Sequence, residues 1–356
     1  MALTDKMDGT SRREFLTALG AVAGAATVSF APGELLAQAA SPAPKPVHID
    51  VHHHFYPPEF RQAVNDFGGG RVPAVEAWTP QKSLEQLDMN NVSTAIVSLW
   101  SIPGVWMGAD VAGMRKWARF VNDYGAKMMA DYPGRFGLFA ALPLPDVEGS
   151  LKEIEYGLDV LNADGVSLFT SYGDKWIGDP VFDRVFEELN RRKAVVYTHP
   201  TTCNCCTNLL PGLPDSTIEY QTDTSRAIAR LVFSGTAARC PDIKLIWSHG
   251  GGTMPFLIDR FINATRMPQY REQFPGGFLP VARRFYYDTA QVPNRPALSA
   301  LTGVVPVDNI LFGTDFPWLT AEHHVTGLRE CRLFSDDELR AIDGENAARL
   351  MPQFKR

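Results

Sequence analysis

The chain is short of cysteine, of histidine and of long apolar runs, and each shortage narrows what it can be. Five cysteines in 356 residues are too few for a disulfide scaffold of this length. Three crowd into Cys203-Asn204-Cys205-Cys206, with Cys240 and Cys331 elsewhere. A disulfide in that cluster would stiffen the loop after His199, and the odd count leaves at least one thiol free or paired between chains. Basic residues form no block beyond the pairs Arg191-Arg192 and Arg283-Arg284, and the net charge is −6. Nucleic acid and anionic membrane are therefore not expected as partners. There is no fixed-period repeat and no low-complexity tract. The one apolar run of any length, 16–30, is too short and too glycine-rich to span a bilayer stably.

What is present at the N-terminus is an address. Ser11-Arg12-Arg13-Glu14-Phe15-Leu16 precedes the apolar run, and Ala37-Gln38-Ala39 follows it with small residues where a signal peptidase cuts. Residues 1–39 read as a twin-arginine signal peptide, 40–46 as a Pro-rich spacer, and 47–356 as one domain. A periplasmic or otherwise exported location is expected, with no membrane anchor after signal removal.

From Val47 onward, short β-branched or apolar runs alternate with longer amphipathic stretches. Eight runs predict strands: 48–52, 94–100, 135–142, 165–170, 194–199, 243–249, 285–290 and 309–313. Stretches 109–131, 147–161, 181–192 and 224–239 predict helices. In the third, Val181, Phe182, Val185, Phe186 and Leu189 share one helical face. Asp146 is placed to cap the second. Eight strand–helix units predict a (β/α)8 TIM barrel. The alternative is a doubly wound open sheet with a ligand at its switch point. Segments 56–80 and 200–222, rich in Gly, Pro and Asn, are expected as long loops over the barrel mouth.

Chemistry gathers at the predicted strand ends. Alternate residues of a strand share a face, so His52 and His54 project together while His53 turns away. Thr198-His199-Pro200 ends the fifth strand, Ser248-His249-Gly250 the sixth and Gly313-Thr314-Asp315 the eighth. Of only eight histidines, four close predicted strands in this order, and such residues converge on one pocket in a barrel. Three neutral imidazoles and a carboxylate suit one divalent metal ion, Zn²⁺ foremost, with Mn²⁺ or Fe²⁺ admissible. His52, His54, His199 and Asp315 are the expected ligands, leaving His249 as an acid/base beside them.

Four strings carry a resemblance: His48-Ile-Asp-Val-His-His-His54, Tyr197-Thr-His-Pro200, Ser248-His-Gly-Gly-Gly-Thr-Met-Pro255 and Phe312-Gly-Thr-Asp-Phe-Pro317. Together they resemble the amidohydrolase superfamily, in its aminocarboxymuconate-semialdehyde decarboxylase-like branch. The Asp50-Val-His-His-His-Phe-Tyr start is most like the 6-methylsalicylate decarboxylase-like members. The resemblance implies a (β/α)8 barrel with one metal on the same four ligands and His249 as catalytic base. It also implies a homodimer in which Arg260 reaches a substrate carboxylate across the interface. Some aromatic-acid members carry Glu in place of the first His of the pair, and this chain departs from them by keeping His52.

The implied activity is non-oxidative decarboxylation of a small, hydroxylated aromatic acid, with His249 and Asp315 handling the proton. A metal-dependent hydrolase of a lactone, ester or C–C bond, using a metal-bound water, is the alternative. A non-catalytic binding protein on a degenerate barrel would require a lost ligand or base, and none is missing. Phe55, Trp100, Trp106, Phe169, Tyr172 and Trp318 fall at or after strand ends and could wall an aromatic substrate. Asp288 could support the site from the seventh strand. His48 lies at the wrong end of its strand to bind. His323 and His324 are expected to be exposed.

Overall fold

The computed structural model describes residues 48–67, 72–101 and 110–355. The expected signal peptide, the spacer and Trp106 lie outside the described residues. Eight parallel strands follow one another around the sheet in chain order. They are β1 (His48–His54), β2 (Val92–Ser98), β3 (Phe136–Ala141), β4 (Gly165–Phe169), β5 (Val195–His199), β6 (Lys244–Trp247), β7 (Tyr286–Asp288) and β8 (Ile310–Leu311). Backbone hydrogen bonds close the β8–β1 seam: Val51 N–H donates to Phe312 O at 3.0 Å, and His54 N–H to Phe316 O at 2.8 Å. The sheet is the expected barrel and not the open alternative.

Barrel strands are covered on both sides, so they must be apolar or internally satisfied along their length. β1, β3 and β4 are buried at every residue. Ala95, Leu138, Val196 and Leu245 pack in the main core, whereas their neighbours Ile96, Phe139, Tyr197 and Ile246 join a smaller cluster. That smaller set includes Ala347 and Met351 of the C-terminal segment. Alternation along β2, β3, β5 and β6 assigns it to the barrel interior, which is packed rather than open.

β1 breaks the pattern where function begins. Its register against β2 shifts between Asp50 and His53. The buried Asp50 carboxylate fills this irregularity, accepting from His52 N–H at 3.0 Å, Thr314 N–H at 3.1 Å and the Thr314 hydroxyl at 2.6 Å. One carboxylate therefore ties together the two segments that carry His52, His54 and Asp315.

The helices differ from the periodicity in instructive ways. Segment 56–80 is not all loop: α1 (Pro58–Asp66) and a short turn at Pro73–Glu76 occupy much of it. Both begin at proline, whose missing N–H costs nothing in the first turn. Asp110 caps α2 (Val111–Asp131), accepting from Gly113 N–H at 2.7 Å. Asp146 sits at the cap position of α3 (Val147–Glu155) without capping it. Its carboxylate takes Arg115 Nε instead, at 2.6 Å, a charge-assisted bond that outcompetes a backbone donor. The helix expected over 224–239 starts earlier, as α4 (Glu219–Phe233), and ends before Gly235, whose φ is +82°. A β-carbon on Gly252, where φ is +65°, would collide with Gln221 O, so glycine there lets the turn after β6 pack on α4.

Candidate metal centre

His52 and His54 leave the inner side of β1, and His199 is the last residue of β5. Asp315 lies past the end of β8 in a turn, with its N–H on His52 O at 2.8 Å. One ligand atom from each of these four buried residues falls within 4.8 Å of the others. The structure thus brings together the set expected from strand order.

The outer nitrogen of each histidine is already committed. His52 Nδ1 lies 2.8 Å from Asp288 Oδ2, His54 Nδ1 3.2 Å from Ser98 O, and His199 Nδ1 2.8 Å from Pro200 O. A nitrogen facing a carbonyl or carboxylate carries the proton, which leaves Nε2 with its lone pair directed inward. There, His52 Nε2 is 3.2 Å from His54 Nε2, and the two are 3.2 and 3.0 Å from Asp315 Oδ1. That oxygen receives no hydrogen bond among the described residues. Electron-rich atoms converging in a buried site are balanced by positive charge at their centre. The donor set, three imidazoles and a carboxylate, fits a divalent transition metal, and Asp288 behind His52 is the usual kind of support for such a ligand.

The electrostatics show the same need for positive charge among these atoms. Burial works to lower the His52 pKa, yet Asp288 and Asp315 outweigh it and carry the value up to about 10. Burial pushes His54 down and His199 further down, which keeps both as neutral donors. Asp315 would be raised by burial, but the His52 charge and the close imidazoles of His249, His52 and His54 hold it well below the usual carboxylate range.

His249 is not on its strand. β6 ends at Trp247, and His249 opens a tight turn with φ +52°. Its N–H donates to Asp288 Oδ1 at 2.8 Å, which aims Nε2 at Asp315 Oδ2, 3.3 Å away. Its buried Nδ1 has no hydrogen-bond partner among the described residues. Asp315 and Gln291 also take the left-handed conformation, with φ of +58° and +61°. Each such residue costs about 1–3 kcal/mol and persists only where its surroundings fix it. Two of them, His249 and Gln291, meet at the carboxylate of the third.

Above the ligands opens a cavity of about 570 Å³, with His199, His249 and Asp315 in its wall beside Trp100, Trp318 and Tyr220. The Trp100 and Trp318 rings lie 5.6 Å apart. Both were expected to wall a substrate, and both line this cavity. Phe55 does not line the cavity: it packs against Trp78 and Tyr124, with ring centroids 6.5 and 6.4 Å away. His54 takes the inward position, so the next side chain on the strand turns out. Arg260 is exposed on α5 (Ile258–Thr265), outside the cavity wall and without an ion pair among the described residues.

Other expectations divide. His53 sits behind the strand, bonded to Asp50 and Ser83. His48 stands at the far end, 3.1 Å from Asp343. His323 is exposed, but His324 on α6 (Ala321–Glu330) is buried and receives Gln291 N–H at 3.1 Å. Burial pushes its pKa down to about 4, so it is a neutral acceptor. All five cysteines are free thiols, with the Cys205 and Cys206 sulfurs 2.7 Å apart. Sequence reasoning missed Gln291 and Tyr220. Gln291 lies just past the end of β7 as His249 lies just past the end of β6, and the same strand-end rule points to it.

Residues 49–352 match the amidohydrolase family. The chain is 37% identical to decarboxylase yanB of Aspergillus niger over 326 residues, 86% of this chain and 88% of that protein. It is 36% identical to the 6-methylsalicylic acid decarboxylase of Penicillium expansum over 318 residues, 86% of this chain and 97% of the relative. Among solved structures it resembles a dihydroxybenzoic acid decarboxylase from a Polaromonas species, holding manganese and the inhibitor 2-nitroresorcinol. That likeness has a TM-score of 0.73 at 22% identity and covers 87% of this chain and 98% of that one. The chain belongs to the amidohydrolase family, on the aminocarboxymuconate-semialdehyde decarboxylase-like branch that its strand-end motifs resemble.

Proposed function

We propose that this protein is a metal-dependent, non-oxidative decarboxylase of a small hydroxylated aromatic acid. The observation that carries the reading is a four-residue ligand set, with His249 beside it, at the floor of a cavity walled by Trp100 and Trp318. Relatives that are decarboxylases by name support it. His52, His54, His199 and Asp315 would hold a divalent cation, which would supply Lewis acidity to stabilise negative charge developing on the substrate.

The chain's own residues do the rest. Trp100 and Trp318 flank an aromatic ring and exclude water from around its carboxylate. His249, aimed by Asp288 and facing Asp315, delivers a proton to the ring carbon that bears the carboxylate. The carbon–carboxylate bond then breaks, its electron pair restores the ring, and CO2 leaves. One proton is consumed and no redox partner is needed.

The finer readings are ours as well. Ligand chemistry favours Zn²⁺, with Mn²⁺ the other candidate. The Arg12-Arg13 motif supports export by the twin-arginine route, and the family match beginning at residue 49 leaves that segment outside it. The exposure of Arg260 supports a homodimer that shares it between subunits.

Elemental analysis of purified protein, coupled to a screen of hydroxylated aromatic acids for CO2 release, tests the reading. Stoichiometric metal is expected, together with a product that gains deuterium at the vacated ring carbon in deuterated water. Label from heavy-oxygen water in the product would mean hydrolysis instead. Activity that survives chelators in metal-free protein would sink the metal reading altogether.

A further inference from the structure

We propose that Gln291, held in place by His324, is a positioning residue that fixes the orientation in which the Asp315 carboxylate faces the histidine ligands. The inference rests on the metal reading given above. Gln291 Nε2 donates to Asp315 Oδ2 at 2.8 Å, the same oxygen that stands 3.3 Å from His249 Nε2. Among the described residues Oδ1 receives no donor, and it faces Nε2 of His52 and His54 at 3.2 and 3.0 Å. The carboxylate is thereby divided, one oxygen engaged by donors and the other left for the ligand cluster. A terminal carboxylate torsion is broad, so rotamer preference alone does not hold the plane of the group in this orientation. The amide does.

The backbone beneath the amide shows how it is held. Gln291 has φ +61°, which a residue with a β-carbon seldom adopts. Its N–H donates to Nε2 of His324 at 3.1 Å, and Nδ1 of that fully buried ring faces Thr320 O at 3.0 Å. The Nδ1 bond fixes the tautomer, so Nε2 is an acceptor and takes the Gln291 N–H in this strained pose. A chain of hydrogen bonds thus runs from α6 through His324 and Gln291 to Asp315. Strain kept under a side chain that touches a ligand is the pattern expected where position matters more than local stability.

Two variants separate positioning from folding. Gln291→Gly removes the amide and relieves the left-handed strain, while Gln291→Met keeps the volume and removes the donor. Each is compared with wild type for Zn²⁺ affinity by chelator competition and for melting temperature without metal. The expected result is a 10- to 100-fold weaker hold on Zn²⁺ in both, the range for lost support behind a ligand, with the metal-free Gln291→Gly protein melting close to wild type. Adding His324→Ala to Gln291→Gly should weaken Zn²⁺ binding by much less than His324→Ala does alone, because its effect passes through residue 291. Wild-type affinity in both Gln291 variants overturns the proposal. So does a loss of affinity matched by an equal loss of metal-free stability. A wild-type protein that binds neither Zn²⁺ nor Mn²⁺ fails the underlying metal reading instead, and the same titration shows which has failed.

Discussion

His53 and His54 are neighbours on one strand, both buried and both near a carboxylate, yet only one belongs to the site. His53 spends both ring nitrogens on the protein: Nδ1 is 3.0 Å from Asp50 Oδ2, Nε2 is 2.9 Å from Ser83 Oγ, and the ring stacks on Phe316. His54 spends only Nδ1, on Ser98 O, and turns Nε2 toward His52 and Asp315. Burial does not separate these roles, and neither does proximity to an acid. The unspent nitrogen does. His52 and His199 repeat the pattern, each anchored at Nδ1.

The comparison breaks most sharply on activity. Asp315→Ala and His199→Ala should release the metal and abolish turnover, since each removes one of four converging atoms. His249→Ala should keep the metal and lower kcat about 10²- to 10⁴-fold, the usual cost of losing a general acid or base. Metal analysis beside steady-state kinetics reads both. If His249→Ala also empties the site, His249 is a ligand and the division of labour around Asp315 is wrong.

His324 sharpens the comparison at a smaller scale, because it is buried with both nitrogens in use and yet carries no proton on Nε2. Its folded pKa, about 4, lies below the ordinary 6.5. Between those values the unfolded chain binds a proton that the folded chain refuses, so stability falls as pH drops from about 6.5 to about 4. The full effect is on the order of 3 kcal/mol. Urea midpoints across that window should fall more steeply for wild type than for His324→Gln. Parallel slopes would mean that the ring is not held neutral.

How much of this could be read from the chain alone depends on what fixed each residue. His52 and His54 were legible because strand alternation is local and periodic. His199 was legible because it ends a clean apolar run. His249 and Asp315 were found by order but misplaced in kind: both sit in left-handed turns beyond their strands, set by bonds from distant partners such as Asp288 and the His52 carbonyl. Phe55 was misread although the same alternation that pairs His52 with His54 turns it outward. The helices in 56–80 were hidden by Pro and Gly, which punctuate a chain whether a short helix starts or a loop continues. Asp146 has a sound capping position, and only the fold reveals that Arg115 claims it.

The smallest effects test the structural arm of the comparison. His53→Ala should leave metal content and kcat near wild type while costing about 1–3 kcal/mol in urea denaturation, because Asp50 and Ser83 lose a buried partner. Asp50 also holds Thr314, one residue before Asp315, so any loss of activity should be slight and should follow stability. A large fall in kcat with stability intact would place His53 in the chemistry and dissolve the distinction between spent and unspent nitrogens. His323→Ala is the control for exposure. Its ring lies outside the cavity wall at the surface of α6, one residue from the buried His324, so stability should move by less than about 0.5 kcal/mol and turnover not at all. Neighbours in sequence would then differ as His53 and His54 do, by what their rings touch.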